Sequence, residues 1–362
     1  SAKKTLNNFF WKTARFIPRK LKELHELGDT AFMQQVQSSN GHLHFYSGKN
    51  YTTPGNRSFL KLFIPLFWQK LRRKCWKLFN YEQWIMLYAF GKQDAPSTSM
   101  YRYKQILPPG DRYWADPCVV YENGKHYIFF EEVIYDKKGE KGHLCVSEIS
   151  RDGTLTPPVE ILKRPYHLSY PFVFKHEGQY YLIPESEANN TVEIYQAAEF
   201  PHKWEFKMNL MEGLKAVDPT LYYKDNRFWL FVNIMEMEGA SYSEELFLFS
   251  SDTLLSRDWK AHPQNPIVSD VRSARPAGKI FEHEGKLYRP SQDCAGRYGY
   301  ATVISEITTW NDKVYREQKV SGITPSWDDK VLATHTLSFE KGLTMIDAVI
   351  KRRKAFFASR NN

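Results

Sequence analysis

One pattern is written four times along the chain and a fifth time in degraded form, and this repetition narrows the available folds more than any other feature. The copies are ADPCVVYENGKHYIFFEE (115–132), SYPFVFKHEGQYYLIPES (169–186), VDPTLYYKDNRFWLFVN (217–233) and ARPAGKIFEHEGKLYRPSQD (274–293), with THTLSFEKGLTMIDAV (334–349) as the fifth. Each holds a polar residue, usually followed by proline, then an apolar run, a turn, and an aromatic-rich run that ends in polar residues. That reads as two short antiparallel strands joined by a tight turn. Aligning Pro117, Pro171, Pro219 and Pro276 gives steps of 54, 48 and 57 residues, and the turn anchors Gly124, Gly178, Asn226, Gly285 and Gly342 keep the same rhythm. A period near fifty in Val, Ile, Tyr, Phe and Trp-rich runs fits four-stranded blades, so the expected fold is an all-β, five-bladed β-propeller over residues 84–350. A β-sandwich with chance similarity among its hairpins is the alternative. The aromatic content of 15% is expected first in the core, where stacked blades must be filled.

The 362 residues leave room for an arm before the propeller, residues 1–83, and a basic tail, 351–362. A charged helix is expected over Pro18 to Val36, followed by a turn-rich connector at 41–56. The segment FLKLFIPLFWQKLRRKCWKLF (59–79) carries Lys61, Lys70, Arg72, Arg73, Lys74 and Lys77 and no acid. Those charges exclude a membrane-spanning helix, since each would cost about 2.5–3.5 kcal/mol near the bilayer centre. An interfacial helix on an anionic membrane remains open, with Phe63, Phe67, Leu71 and Leu78 near one face, as does a helix packed on the propeller; Pro65 should interrupt either. Much of the net charge of +9 lies in this segment and in the tail. No zinc finger, helix-turn-helix or RNA-recognition pattern accompanies it, so nucleic acid is not an expected partner.

Cys75, Cys118, Cys145 and Cys294 show no CxxC pair and read as reduced, small apolar residues. The glycosylation patterns at 56–58 and 189–191 read as coincidental, because no signal peptide is in view. A cytoplasmic protein, peripheral on the inner face of the membrane, is the expectation. The start at Ser1 rather than Met suggests an upstream module.

In a propeller the innermost strands begin at one mouth of the central channel. If the first strand of each repeat is innermost, the residues before the aligned prolines converge there: Asp116, Tyr170, Asp218 and Arg275, with His335 in the fifth copy. These positions diverge while their neighbours repeat, as positions released from packing would. Seven residues after the turn anchors come Glu131, Glu185, Asn233 and Gln292, beside Glu132, Ser186 and Asp293. Carboxylates facing one another across a narrow mouth raise each other's pKa, an arrangement suited to making or breaking glycosidic bonds. Arg275 and Arg289 could bind phosphate or carboxylate, and Tyr113, Trp114, Tyr170, Tyr298 and Tyr300 offer faces to a sugar. No Walker, GxSxG or HExxH motif and no metal-ligand spacing occurs, so no cofactor or metal is expected.

The run DRYWADPCVVYENGKHYIFFEE, followed by HLSYPFVF, YYLIPES, FPHKWEF, VDPTL, HPQNPI, RPAGKIF, LYRPSQDCAGRYG and THTLSF, resembles the N-terminal propeller domain of glucosamine inositolphosphorylceramide transferases and their bacterial homologues in surface-polysaccharide biosynthesis. The likeness spans about residues 84 to 349. More distantly, the ADP and VDP motifs are similar to five-bladed glycoside hydrolases of the arabinanase, xylosidase and invertase type. That second resemblance implies Asp116 as base or nucleophile, Asp218 as the middle-blade aspartate and Glu185 as acid, although Glu185 precedes Asp218 where the hydrolases often place their acid after it. Residues 41–56 are similar to the tail of formyltransferase-like modules.

Three functions follow as expectations. The first is a glycosyltransferase in surface-glycan or glycolipid synthesis, with a nucleotide-sugar or lipid-linked donor, a glycan acceptor, and Asp116, Glu185 and Asp218 as catalytic residues. His167, Tyr170, Arg275, Arg289, Gln292, Asp293, Tyr298, His335, Glu131 and Trp114 form its expected substrate-binding set. The others are a glycoside hydrolase with an Asp116–Glu185 pair and a non-catalytic glycan-binding or scaffold propeller.

Overall fold

A computed structural model describes residues 2–40, 55–91, 95–97, 99–135, 141–237 and 239–354. Most of the connector expected at 41–56, and the tail beyond Lys354, lie outside the described residues. The chain forms two compact units, Ser1–Tyr81 with Met237–Ala240 and Arg353–Asn362, and Glu82–Glu236 with Ser241–Arg352.

The second unit is a five-bladed β-propeller. Blade one is the antiparallel sheet Arg112–Glu122, Lys125–Ile134, His143–Ile149 and Val159–Leu162; blade two is Ser169–His176, Gln179–Ser186, Thr191–Glu199 and Lys203–Glu212. Blade three is built on Ala216–Lys224, Arg227–Ile234 and Glu245–Ser251, and blade four on Phe281–His283, Lys286–Asp293, Ala301–Trp310 and Tyr315–Ile323. Blade five explains why its repeat is degraded. Its inner hairpin, Leu337–Glu340 and Leu343–Arg353, and the short strand Val331–Ala333 come from the C-terminal end of the propeller sequence, and Asn80–Phe90 and Lys104–Ile106 from its beginning complete the sheet. Both ends of the propeller sequence therefore close one blade.

The hairpin turns follow from their residues. Asn123–Gly124, Glu177–Gly178, Asp225–Asn226, Glu284–Gly285 and Lys341–Gly342 all have positive φ at both positions, the backbone that two-residue hairpin loops require and that Gly and Asn adopt most readily. The core lies between blades. Phe172, Ile183 and Ile194 of blade two pack on Leu221, Leu230 and Val232 of blade three, and Val119, Ile128 and Phe130 of blade one pack on Met86, Leu343 and Met345 of blade five. Gly278 has φ +135 and lies so close to the Leu337 carbonyl that any Cβ would collide with it, which lets blades four and five meet near the axis.

The first unit is helical: α1 (Ala2–Thr13), α2 (Phe16–Leu27), α3 (Asp29–Asn40) and α4 (Asn56–Phe79). The single helix expected over 18–36 is two, because Gly28 at φ +76 ends α2 with its N–H on Leu24 O. Helix α4 runs through Pro65 rather than stopping there. None of its residues is buried, and large apolar side chains are exposed at most positions from Phe59 to Trp68. No helix among the described residues is long and apolar enough to cross a membrane.

Candidate functional site

The inner strands of blades one, two and three share a defect at the same place. Their ladders slip between Ala115 and Cys118, Ser169 and Phe172, and Val217 and Thr220, where a prolyl residue has no N–H to give. The residue before each proline takes a positive φ: 54° at Asp116, 44° at Tyr170 and 52° at Asp218. A bulge frees that residue's N–H from the ladder, and a buried free N–H requires an acceptor. Carboxylates supply it from the preceding blade: Asp116 N donates to Asp347 Oδ2 (3.0 Å), Tyr170 N to Asp116 Oδ2 (3.3 Å) and Asp218 N to Glu185 Oε2 (3.2 Å). Acids thus link blade five to one, one to two, and two to three.

The structure brings the five aligned residues together. Arg275 donates to Asp218 through Nε (2.5 Å) and Nη2 (3.2 Å) and reaches Glu185 at 3.4 Å. Gln292 Nε2 donates to the same Asp218 at 2.9 Å. His335 Nε2 lies 3.6 Å from Asp116, and its Nδ1 lies 2.7 Å from Asp347. The Tyr170 hydroxyl bonds Thr220 at 2.8 Å. Over this buried layer Trp84 stacks on His335 with ring centres 4.1 Å apart, and Tyr298, 47% exposed, covers Arg275 and the edge of His335. A Cβ at Gly299, φ +58, would strike His335, so the loop carrying Tyr298 needs glycine there to lie against the site.

The two acids joined through His335 differ in electrostatics. Asp347 is saturated: it accepts from His335 Nδ1, from the Thr336 hydroxyl (2.5 Å), and from the backbone N–H groups of Asp116, His335 and Thr336. Burial acts to raise its pKa, but His335 and these bonds outweigh burial and hold it below the usual carboxylate range. Asp116 has only longer contacts, 3.2 Å to Thr336, 3.3 Å to Tyr170 N and 3.6 Å to His335. Burial, offset in part by His335, pushes it up to about 6, with the charges of Asp347 and Asp218 adding to the rise. For His335, burial works against the charged form, but Asp347 and Asp116 prevail and raise its pKa. Burial raises Glu185 well above the ordinary value, helped by the charge of Asp218, and raises Glu131 likewise, helped by Asp116.

Several expected residues stand elsewhere. Arg289 is not at the mouth: it is fully buried and paired with Glu317 by two bonds of 2.7 and 2.6 Å, with Nη2 also on Ser273 O. Trp114 offers no face to a ligand, since it is buried beside Phe130 with its indole N–H on Glu132. Glu132 is held in turn by Arg112 and His143. Asp293 accepts the Ala295 N–H in a turn. His167 and Tyr113 meet at Glu131 Oε1, at 3.2 and 3.1 Å, on the blade-one side of the mouth. Asp347, Thr336 and Trp84 were not expected. Asp347 had a signal: it is the acid on the fifth repeat's second strand, two residues nearer its turn than Glu131 and Glu185 are to theirs.

Among the described residues two trios place ligand-type atoms close enough for one ion, Asp116–His335–Asp347 and Glu132–His143–Cys145. In both the histidine is already within reach of an acid, so coordination would have to displace that contact.

A five-bladed propeller whose inner-strand starts converge on a buried, acid-rich mouth is the class that fold and site define. Within that class, residues 106–330 match the family described as glucosamine inositolphosphorylceramide transferase 1, N-terminal, and the chain belongs to this family. It is similar to glucosamine inositolphosphorylceramide transferase 1 of Oryza sativa subsp. japonica, 32% identical over 210 residues covering 57% of this chain and 28% of that protein. The Arabidopsis thaliana protein of the same name is 32% identical over 209 residues, 57% of this chain and 27% of its own length. The chain thus spans little more than a quarter of these relatives. Among solved structures, Zg3597, a family 117 glycoside hydrolase of Zobellia galactanivorans, aligns at a TM-score of 0.48 with 13% identity, covering 74% of this chain and 90% of that protein. CoXyl43, a GH43 β-xylosidase/α-arabinofuranosidase from a compost microbial metagenome, aligns at 0.48 with 15% identity, covering 68% and 92%.

Proposed function

We propose that the Asp116 mouth is the acceptor site of a sugar-transferring protein in cell-surface glycan or glycolipid synthesis. The observation that carries this is the contrast within one linked pair of acids. Asp347 is locked by short bonds, whereas Asp116 is loosely held, titrates near 6 and has His335 behind it. A base of that strength works close to neutral pH. An acceptor hydroxyl bonded to Asp116 gives up its proton as its oxygen bonds the donor's anomeric carbon, and the donor's phosphate leaves with the electron pair of the broken bond. Glu185, raised in pKa, and the remaining acceptor positions of Asp218 receive neighbouring sugar hydroxyls.

The two arginines expected for the donor phosphate are both committed. Arg275 is clamped by Asp218, and Arg289 is paired with Glu317. A nucleotide-sugar or lipid-linked donor is accordingly assigned to groups outside this cluster. Transfer from a panel of nucleotide sugars to glycan acceptors, followed by nucleotide release, tests the reading: Asp116→Asn should lower the rate by about 10²–10⁴-fold. Unchanged transfer in that variant would remove the role of Asp116. A non-catalytic sugar-binding mouth is favoured by one observation, that Asp116, Glu185 and Asp347 also tie blades together, and it expects saccharide binding without transfer. Asp116-dependent hydrolysis of a glycan without transfer would instead make the protein a hydrolase.

The arm supports a peripheral membrane site. The exposed apolar residues and six cations of 59–79, with no acid, suit an anionic bilayer surface. Flotation of the full chain with phosphatidylglycerol vesicles, but not with phosphatidylcholine alone, is the expected result; failure to float with either ends this part of the reading.

A further inference from the structure

The channel has a second mouth, formed by the other ends of the same inner strands, where the hairpins turn. A cavity of about 330 Å³ opens there, lined by residues of all five blades. Its aromatic wall is Tyr223, 49% exposed, with His176 (ring centres 5.4 Å apart) and Phe228 (4.7 Å) behind it. Two ion pairs also line the cavity, Lys175–Glu122 at 2.8 Å and Lys279–Glu340 at 3.5 Å. Lys279 also donates to Val119 O at 3.2 Å, inside the channel.

We infer that this far mouth is a second carbohydrate site, separate from Asp116, that takes a neutral saccharide of one or two rings. Volume sets the size, since about 330 Å³ is at the small end of ligand cavities. Charge sets the class. Each ammonium already has a carboxylate, so an ionic ligand must break a pair. Hydroxyls need break nothing: they can take the ammonium protons and carboxylate lone pairs that the ion pairs leave over. The exposed Tyr223 ring supplies a flat apolar surface for the C–H face of a pyranose. The inference does not depend on the reading of the Asp116 mouth, because it uses none of its residues.

Calorimetric titration of the full chain with cellobiose, maltose and N,N′-diacetylchitobiose, one at a time, tests it. At least one should bind, Tyr223→Ala should weaken that binding about tenfold or more, and Tyr223→Phe, which keeps the ring, should restore most of it. Asp116→Asn should leave the same binding unchanged. Absence of binding by all three disaccharides overturns the inference, as does binding that Asp116→Asn abolishes and Tyr223→Ala spares. Because Tyr223 is on the surface, an unchanged melting temperature of Tyr223→Ala shows that a loss of affinity is local.

Discussion

The two mouths of the channel are made from opposite ends of the same five inner strands, and they are chemically unlike. At the start of the strands the prolyl bulges leave N–H groups without ladder partners, so Asp347, Asp116 and Glu185 are drawn inward to receive them. At the hairpin end the ladders are complete up to the turns, as in Tyr223 opposite Phe228 and Lys175 opposite Tyr180. No acceptor is needed there, and the side chains are free to be aromatic and half exposed. A repeat can thus place a buried acid cluster at one end of the channel and an aromatic wall beside paired charges at the other.

That contrast makes substitutions at the first mouth costly and those at the second cheap. Arg275→Ala should have the largest effect: it leaves Asp218 buried without its cation, and unfolding in urea should show a loss of about 3–5 kcal/mol. A loss as small as that of a surface substitution would mean that the first mouth is not held by its charges. Asp347→Asn comes next, at about 1–3 kcal/mol, because the amide cannot satisfy every donor that the carboxylate now receives.

Asp116→Asn should act in the opposite sense. The folded protein holds the Asp116 proton up to about pH 6, against 3.8 for the ordinary carboxyl. Between these values the native state binds more protons than the unfolded chain, so this group's contribution to stability falls as pH rises. The variant lacks that decline, and its melting temperature should gain on the wild type between about pH 4 and 6. Parallel curves would show that Asp116 is an ordinary structural acid. Tyr223→Ala should be smallest, within about 0.5 kcal/mol by the same urea assay, with its effect confined to saccharide binding.

Arg289 shows where linear reading misleads. Its place in the fourth repeat, on a strand ending in polar residues, resembles that of a mouth residue, yet its side chain turns back across its own blade to Glu317. The repeat pattern sets which strand a residue occupies and near which end, but strand twist and the neighbour's side chain decide where a long guanidinium goes. Trp114 illustrates the same limit, since an indole at a strand start serves equally as a sugar platform or as core. Asp218 and Arg275 were legible because their slots diverge while the surrounding repeat does not. Asp347 was obscured because the fifth hairpin reaches its mouth two residues sooner.

By itself the sequence determined the propeller, its five hairpins and the convergence of five aligned residues, because period, turn chemistry and prolines are local properties that repeat. The tertiary structure decided which of those residues are bonded to one another and how firmly. The pairing of Arg275 with Asp218 and the loose hold on Asp116 depend on contacts between blades, whereas Asp347 is locked chiefly from within its own repeat, by His335 and Thr336, with one bond from Asp116 N of blade one. Closure of blade five by Asn80–Phe90 has the same origin, a strand pairing across some 260 residues that no local pattern encodes.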